Sequence, residues 1–147
     1  MTQETQRYIN TNAHFPGGDF KKIKQTLIGK YVTRIEKTGN FQAKVTLDGG
    51  TTLYLEGNEG GCGCGSGDWA ITKLLTNSEK PSGRIMNAWI DNQIKVDEEY
   101  GEIGGPITLF IMAEGREYPL VEFNGYDNGC YGQGFYCRVT RIIPPEQ

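Results

Sequence analysis

The sequence predicts a mainly β protein (a β-rich α+β fold) with one short N-terminal helix, on three observations. Apolar and polar residues alternate with a period of two in several runs, of which Phe41–Leu47 is the clearest. Asp48-Gly49-Gly50 lies between two such runs, and Asp-Gly is a strong hairpin signal. The 21 glycines fall mostly between apolar runs, which indicates many tight turns.

The N-terminal part predicts an arm and a helix. Residues 1–18 are polar and aperiodic, and we interpret them as an arm that precedes a single β-rich domain of residues 19–147. Asp19 can cap a short helix over Phe20–Ile28, whose apolar residues are spaced by three and four, and Gly29 stands where a helix commonly ends. A first antiparallel meander is predicted from the strands 31–36, 41–47 and 51–56.

The pattern in the second half of the sequence predicts further strands and leaves the structure of one segment undecided. Trp69–Leu75 can be a strand or a short helix capped by Asp68, because periodicity does not decide over so few residues. Ile107–Met112 predicts a central strand, and Pro119, which cannot donate to a β ladder, indicates an edge strand or a bulge. With the strands that begin at Ile85 and Phe135, these segments form a second meander. The two meanders are therefore expected to build one sheet or a small sandwich.

Composition and charge exclude several classes of protein. The net charge is −3 and the isoelectric point about 5.2, whereas a nucleic-acid-binding domain usually has a basic stripe and a value above about 9. No apolar run approaches the ~20 residues of a membrane span. The N-terminus lacks the basic and apolar regions of a secretory signal. We therefore expect a cytoplasmic protein with reduced cysteines and with neither nucleic acid nor membrane as its partner.

Cysteine and histidine offer little support for metal binding or nucleophilic catalysis. Cys62, Cys64, Cys130 and Cys137 could assemble a four-thiolate zinc site, but structural zinc sites usually use Cys-x-x-Cys pairs. Buried or idle thiols are the favoured alternative, and no cofactor is expected. The single histidine, His14, lies in the polar arm, from which a Cys-His or Ser-His-Asp arrangement would have to recruit it. No spacing singles out a catalytic acid and base.

Aromatic residues beside glycine-rich loops are the more useful clue to function. Tyrosine and tryptophan offer rigid contact area with a polar tip, and neighbouring glycines let a partner approach the backbone. The same aromatics could instead close the ends of a small sheet. The candidate ligand- or partner-binding residues lie in or near the two loops: Cys62, Cys64, Asp68, Trp69, Tyr126, Asp127, Tyr131, Phe135, Tyr136 and Arg138.

The order of these features resembles a family of small bacteriophage and prophage proteins, the DUF7448 type, which is a domain of unknown function. The resemblance covers about residues 30–142 and rests on the hairpin Asp48–Gly50, the strand end Leu53–Gly57, a cysteine-bearing loop before Trp69 and the closing Tyr131–Tyr136. Cys-Gly-Cys stands here in place of adjacent cysteines, which weakens a shared metal role. The family brings no established activity or catalytic residues to carry over.

Three hypotheses follow. The missing catalytic patterns favour a phage-encoded, non-enzymatic binding protein that counteracts host defence by binding a defence protein or sequestering a nucleotide signal. The second hypothesis is a small hydrolase or nucleotide-modifying enzyme that uses carboxylates such as Asp68 and Asp127. The third is a structural or assembly accessory protein that acts as a homo-oligomer, with contacts sought around Pro119 and Ile107–Met112. The expected partner is a host protein or a small nucleotide-like ligand.

Overall fold

The computed structural model describes residues 7–15, 17–60, 67–96, 99, 103–127 and 134–143. Within these residues ten strands form two antiparallel sheets beside one helix, so the prediction of a mainly β fold with one short helix is confirmed. No helix in this part of the chain is long and apolar enough to cross a membrane. The elements are β1 (Arg7–Phe15), α1 (Lys21–Leu27), β2 (Val32–Lys37), β3 (Gln42–Leu47), β4 (Thr51–Gly57), β5 (Trp69–Leu74), β6 (Asn87–Asn92), β7 (Lys95–Val96), β8 (Ile103–Ala113), β9 (Arg116–Asp127) and β10 (Phe135–Ile143).

The strands divide between two sheets that we call sheet A and sheet B. Sheet A has the order β1-β10-β4-β3-β2, so it contains the predicted first meander. Sheet B has the order β5-β9-β8-β6, with the short β7 paired to β8. The last strand, β10, leaves the second meander and pairs with β4 in sheet A. The segment interpreted as a polar arm supplies the edge strand β1, which pairs with β10 from Arg7–Ile143 to Phe15–Phe135.

Local signals explain where α1 begins and ends. The Asp19 carboxylate accepts a hydrogen bond from the Lys21 backbone N at 2.9 Å, while the N-cap residue itself is Phe20 and makes no side-chain cap. Gly29 has a φ of +84°, a left-handed conformation that glycine adopts at little cost. The ambiguous segment after Asp68 is the strand β5, so Asp68 does not cap a helix there.

Pro119 lies beside a bulge in a central strand. Phe110 pairs with Pro119 and Leu109 pairs with Val121, so Leu120 is the additional residue of the bulge. On the other side of β9, the pairing with β5 ends at Val121. The ladder between β5 and β9 therefore does not need the N–H that Pro119 lacks. Of the two predicted alternatives, the bulge is observed.

The two sheets share one hydrophobic core. Phe123 of β9 stacks on Phe135 of β10 with ring centroids 4.5 Å apart, which connects sheet B to sheet A. Phe15 of β1 lies 5.6 Å from Phe135, and Phe20 packs edge-on against Phe15 at 5.6 Å. Because burying one such ring contributes about 1.5–3 kcal/mol, this aromatic row is a principal link between the sheets and the start of α1.

Two glycines allow close backbone contacts near the end of β4, Gly57 between the two sheets and Gly125 within sheet B. A Cβ atom on Gly57 would lie 1.8 Å from the Trp69 carbonyl oxygen and 2.9 Å from Cδ1 of Phe123. A Cβ atom on Gly125 would lie 2.1 Å from the Asp68 carbonyl oxygen. Both distances are far below van der Waals contact with a backbone atom, so any larger residue would force the strands apart.

Backbone hydrogen bonds hold the same region, which we call the junction. The Trp69 N–H donates to the Asn58 carbonyl at 2.8 Å, and the Asn58 N–H donates to the Gly134 carbonyl at 2.9 Å. The Ile71 N–H donates to the Asn40 carbonyl at 2.9 Å. The residues after β4 therefore connect the start of β5 to the start of β10.

The substitution Gly57→Ala should lower the free energy of unfolding by about 2 kcal/mol or more, because overpacking typically costs about 1–3 kcal/mol and here the new methyl group meets backbone. Gly39→Ala is the matched control, since no atom lies within 4 Å of the added Cβ atom. Urea unfolding of both variants measures the difference. Equal stability of the two variants would show that the junction is not tightly packed.

Candidate functional site

The structure distributes the candidate residues among core, junction and surface. Trp69 and Phe135 are fully buried, which agrees with the alternative in which aromatics close the fold. Tyr126 and Tyr136 are 39% and 38% exposed. The remaining aromatic candidate and two cysteines, Tyr131, Cys62 and Cys64, lie outside the described residues.

The two candidate carboxylates lie at the adjoining ends of β5 and β9. The Asp68 carboxylate accepts a hydrogen bond from the Gly60 backbone N at 2.7 Å, so it holds the chain that follows β4. Asp127 is buried at 5% exposure. The Gly67 N–H donates to the Tyr126 carbonyl at 2.6 Å, which continues the pairing beyond Trp69. Asp68 therefore has a structural function in the loop at the junction.

The outer face of sheet A carries polar and aromatic side chains in register. Alternate residues of a strand point to opposite faces, and the neighbours of these residues in sequence fill the core. The pairing aligns three rows across the strands: Asn12, Arg138, Tyr54, Lys44 and Glu36; His14, Tyr136, Glu56 and Gln42; Asn10, Thr140, Thr52, Thr46 and Arg34.

A groove of about 500 Å³ lies on this face, and we call it the sheet A groove. A second depression of about 380 Å³ shares Glu56 and Tyr136 with the groove and extends to His14 and Asn58. The concave surface therefore continues from the outer face of sheet A to the junction. Among the residues that line the groove are Asn10, Asn12, Gln42, Tyr54, Tyr136 and Arg138.

Arg138 is the cation of the sheet A groove. Its Cζ atom lies 4.4 Å from the centroid of the Tyr54 ring on the neighbouring strand. A guanidinium stacked on an aromatic face keeps the N–H donors of its edge available. Arg138 forms no ion pair with a carboxylate of the described residues. The groove thus contains an oriented cation that has no ion-pair partner among the described residues and is of the type that binds phosphate or carboxylate.

Tyr136 and three amide side chains surround this cation. Tyr136 is two residues before Arg138 on the same face of β10, a separation of about 7 Å along the strand. The Asn10 amide oxygen accepts a hydrogen bond from the Thr140 hydroxyl at 2.7 Å. Asn12 and Gln42 add further amide donors and acceptors. The groove can therefore hold a flat group, an anion and several hydrogen-bonding groups together.

Sequence reasoning identified Tyr136 and Arg138 and missed Tyr54, Asn12 and Gln42. Each missed residue occupies an outward position of an alternating strand, which the sequence shows. The cross-strand pairs Arg138–Tyr54 and Asn12–Arg138 depend on which strands adjoin. No local signal predicts that β10 lies between β1 and β4.

His14 lies where the second depression begins. Partial burial of the imidazole removes water from the charged form and lowers the pKa of His14 below 6.5. The folded protein therefore favours the neutral form of this imidazole. As the single histidine of the chain, His14 gives one imidazole signal that reports on this part of the surface.

In a proton NMR titration the imidazole signal should have a midpoint below 6.5. Because the unfolded chain then binds the proton more tightly than the folded protein, the stability contributed by neutral His14 is lost as the pH falls through 6.5. His14→Gln should lack this part of the pH dependence in urea unfolding at about pH 5 and pH 8. A midpoint at or above 6.5 would contradict the assigned environment.

Cys137 lies on the inner face of β10 and is fully buried. Burial raises the pKa of its thiol, because the apolar core disfavours the thiolate. Among the described residues no group of three or more histidines, cysteines or carboxylates is placed to hold a metal ion. Cys62, Cys64 and Cys130 lie outside them. A zinc site that includes Cys137 would require this side chain to leave the core.

The Cys137 thiol should resist alkylation in the native protein and react on unfolding, because the thiolate is the nucleophile. Iodoacetamide treatment with and without urea, followed by peptide mass mapping of the β10 segment, measures this. Rapid native alkylation of Cys137, or its protection only when zinc is added, would contradict the buried position.

Comparison with known proteins gives no match: no family model, no curated protein and no solved structure matches this chain. The resemblance to DUF7448 proteins therefore stays a prediction.

Proposed function

We propose that this chain is a non-enzymatic binding protein whose sheet A groove takes a small nucleotide-like ligand. The observation that carries the proposal is the Arg138 guanidinium stacked on Tyr54, with the exposed Tyr136 beside it. This arrangement offers an anion site and a flat stacking surface on one sheet face.

The anion site favours a phosphate. The edge of a stacked guanidinium presents several N–H donors in one plane, which matches the oxygens of a phosphate. Lys44 is paired with Tyr54 in the register and lies on the same face, so a second cation is near. Glu36 and Glu56 lie on the same face, so the preference for a phosphate rests on the planar donors of Arg138 and not on the net charge of the face.

The other groups fit a nucleobase and its sugar. A tyrosine ring that is 38% exposed can stack on a base, and such contacts are worth about 1–3 kcal/mol per base. The amides of Asn12 and Gln42 can donate to and accept from the edge of a base. Glu56, beside Tyr136 in the pairing, can accept from ribose hydroxyls. The spacing of about 7 Å from Tyr136 to Arg138 suits a ligand with base and phosphate separated by a sugar.

Binding without turnover is proposed for the guanidinium and amide side chains of the groove, because they neither accept nor release protons at neutral pH. Glu56, the carboxylate of the groove, accepts hydrogen bonds from the ligand in this proposal. The resemblance to small phage proteins supports a setting in an infected bacterial cell. There, tight binding of a nucleotide signal by this protein would counteract a host defence.

Isothermal titration with AMP, GMP, CMP and UMP, and with the matching nucleosides, tests the proposal. At least one nucleotide should bind more tightly than its nucleoside, because Arg138 contacts the phosphate. Arg138→Ala should weaken nucleotide binding about tenfold or more, which corresponds to about 1.4 kcal/mol. After prolonged incubation the nucleotide should be recovered unchanged by chromatography.

Arg116→Ala is the matched control, because Arg116 is also stacked on a tyrosine, Tyr118, at 5.4 Å, but lies in sheet B outside the groove. It should leave nucleotide binding unchanged. Equal affinity for nucleotides and nucleosides, equal effects of the two arginine substitutions, or chemical alteration of the nucleotide would each overturn the proposal.

A further inference from the structure

A second surface with different chemistry lies around α1, far along β10 from the sheet A groove. It consists of lysines of α1, the segment that follows α1, the segment that precedes β6, and Ile142 near the end of β10. We call it the α1 patch, and its members are Lys21, Lys22, Lys24, Ile28, Lys30, Arg84, Met86 and Ile142.

Backbone contacts join the parts of the patch that follow α1, precede β6 and end β10. The Gly29 N–H donates to the Ile85 carbonyl, and the Ile85 N–H donates to the Lys30 carbonyl, both at 2.8 Å. These bonds place Ile28 and Lys30 beside Arg84 and Met86. The turn between β3 and β4 connects Lys30 to Ile142. The Ile142 N–H donates to the Gly50 carbonyl at 3.3 Å, and Lys30 Nζ lies 3.0 Å from the place that a Cβ atom on Gly49 would occupy.

The cations of the patch are largely uncompensated. None of the four lysines nor Arg84 forms an ion pair with a described carboxylate. Two carboxylates are near: Asp19, which accepts from the Lys21 backbone N, and Asp48, which accepts from the Tyr31 backbone N at 2.7 Å. The hydrogen bond that Arg84 donates to the Tyr31 hydroxyl at 3.1 Å raises the pKa of Arg84, and the charge of Asp48 adds a smaller contribution. The patch is therefore positive, although the net charge of the chain is −3.

Exposed apolar side chains lie among these cations. Met86 is 67%, Ile28 39% and Ile142 38% exposed, and they are half of the six large apolar side chains that are exposed in the described residues. Large exposed apolar groups gathered at one place mark an interaction surface. A nucleic-acid backbone would use the cations and leave these groups in water.

We propose that the α1 patch binds an acidic segment of a partner protein, with carboxylates on the lysines and Arg84 and an apolar side chain against Ile28, Met86 and Ile142. A membrane surface fits less well, because the apolar stripe of α1, Ile23 and Leu27, is buried in the core and cannot enter a lipid layer. Electrostatic attraction of the acidic segment also increases the rate of encounter.

Selection from a library of random 12-residue peptides tests the proposal with the intact protein. The enriched peptides should combine aspartate or glutamate with leucine, isoleucine, phenylalanine or methionine. The double substitution Lys24→Glu and Lys30→Glu should weaken the best peptide about tenfold or more, measured by fluorescence anisotropy. Met86→Ser should also weaken binding of the peptide, because it removes an apolar contact. The Met86 side chain is 67% exposed in the free protein, so the substitution should leave the fold unchanged.

The matched control is Lys37→Glu with Lys95→Glu, two exposed lysines outside the patch; it gives the same change in net charge and should leave peptide affinity unchanged. Circular dichroism spectra and urea unfolding curves that match those of the unsubstituted protein show that the variants are folded. Enriched peptides without acidic residues, or equal loss in both double variants, would overturn the proposal. Patch-dependent binding of a dT12 oligonucleotide, or of phosphatidylglycerol vesicles, in preference to the peptide would also overturn it.

Discussion

The close approach of the β4 end to β5 at Gly57 is the constraint on which the rest of the structure depends. With no side chain at this position, the Trp69 carbonyl and the Phe123 ring occupy the space where a Cβ atom would be. The sheets can therefore come near enough for Phe123 to stack on Phe135. A wider separation would leave a void beside both rings, and voids in a core cost stability in proportion to their volume.

Strand β10 transmits this constraint from the core to the surface. Phe135 and Cys137 point into the core, so Tyr136 and Arg138 must point out of it. A shift of one residue in the pairing would exchange the two sets, burying a guanidinium and exposing a phenylalanine. Because the desolvation of an unpaired charge is strongly unfavourable, the core packing also specifies which side chains line the sheet A groove.

Local signals in the sequence were sufficient for most elements and for few of the long-range pairings. Alternation and Asp-Gly turns gave the first meander, and Gly29 correctly predicted the end of α1. The position of β10 between β1 and β4 could not be predicted, because the period of a strand does not identify its neighbour. The same limit applies to the site. The sequence predicts Arg138 as a binding residue, but Tyr54, 84 residues earlier in the chain, becomes its neighbour only through the pairing of β10 with β4.

The two proposed surfaces differ in chemistry and lie at different points of one strand. Arg138 of the groove and Ile142 of the α1 patch are four residues apart on β10, a distance of about 13 Å. Pairing to β1 and β4 on both sides holds this strand, so neither surface needs a change of shape to be exposed while the other is occupied. The two proposals therefore place a small anionic ligand on the outer face of sheet A and an acidic protein segment beside α1, and both could bind at the same time. Competition between them would then arise from electrostatic repulsion of two negative partners, an effect that decreases over the Debye length of about 8 Å at physiological salt.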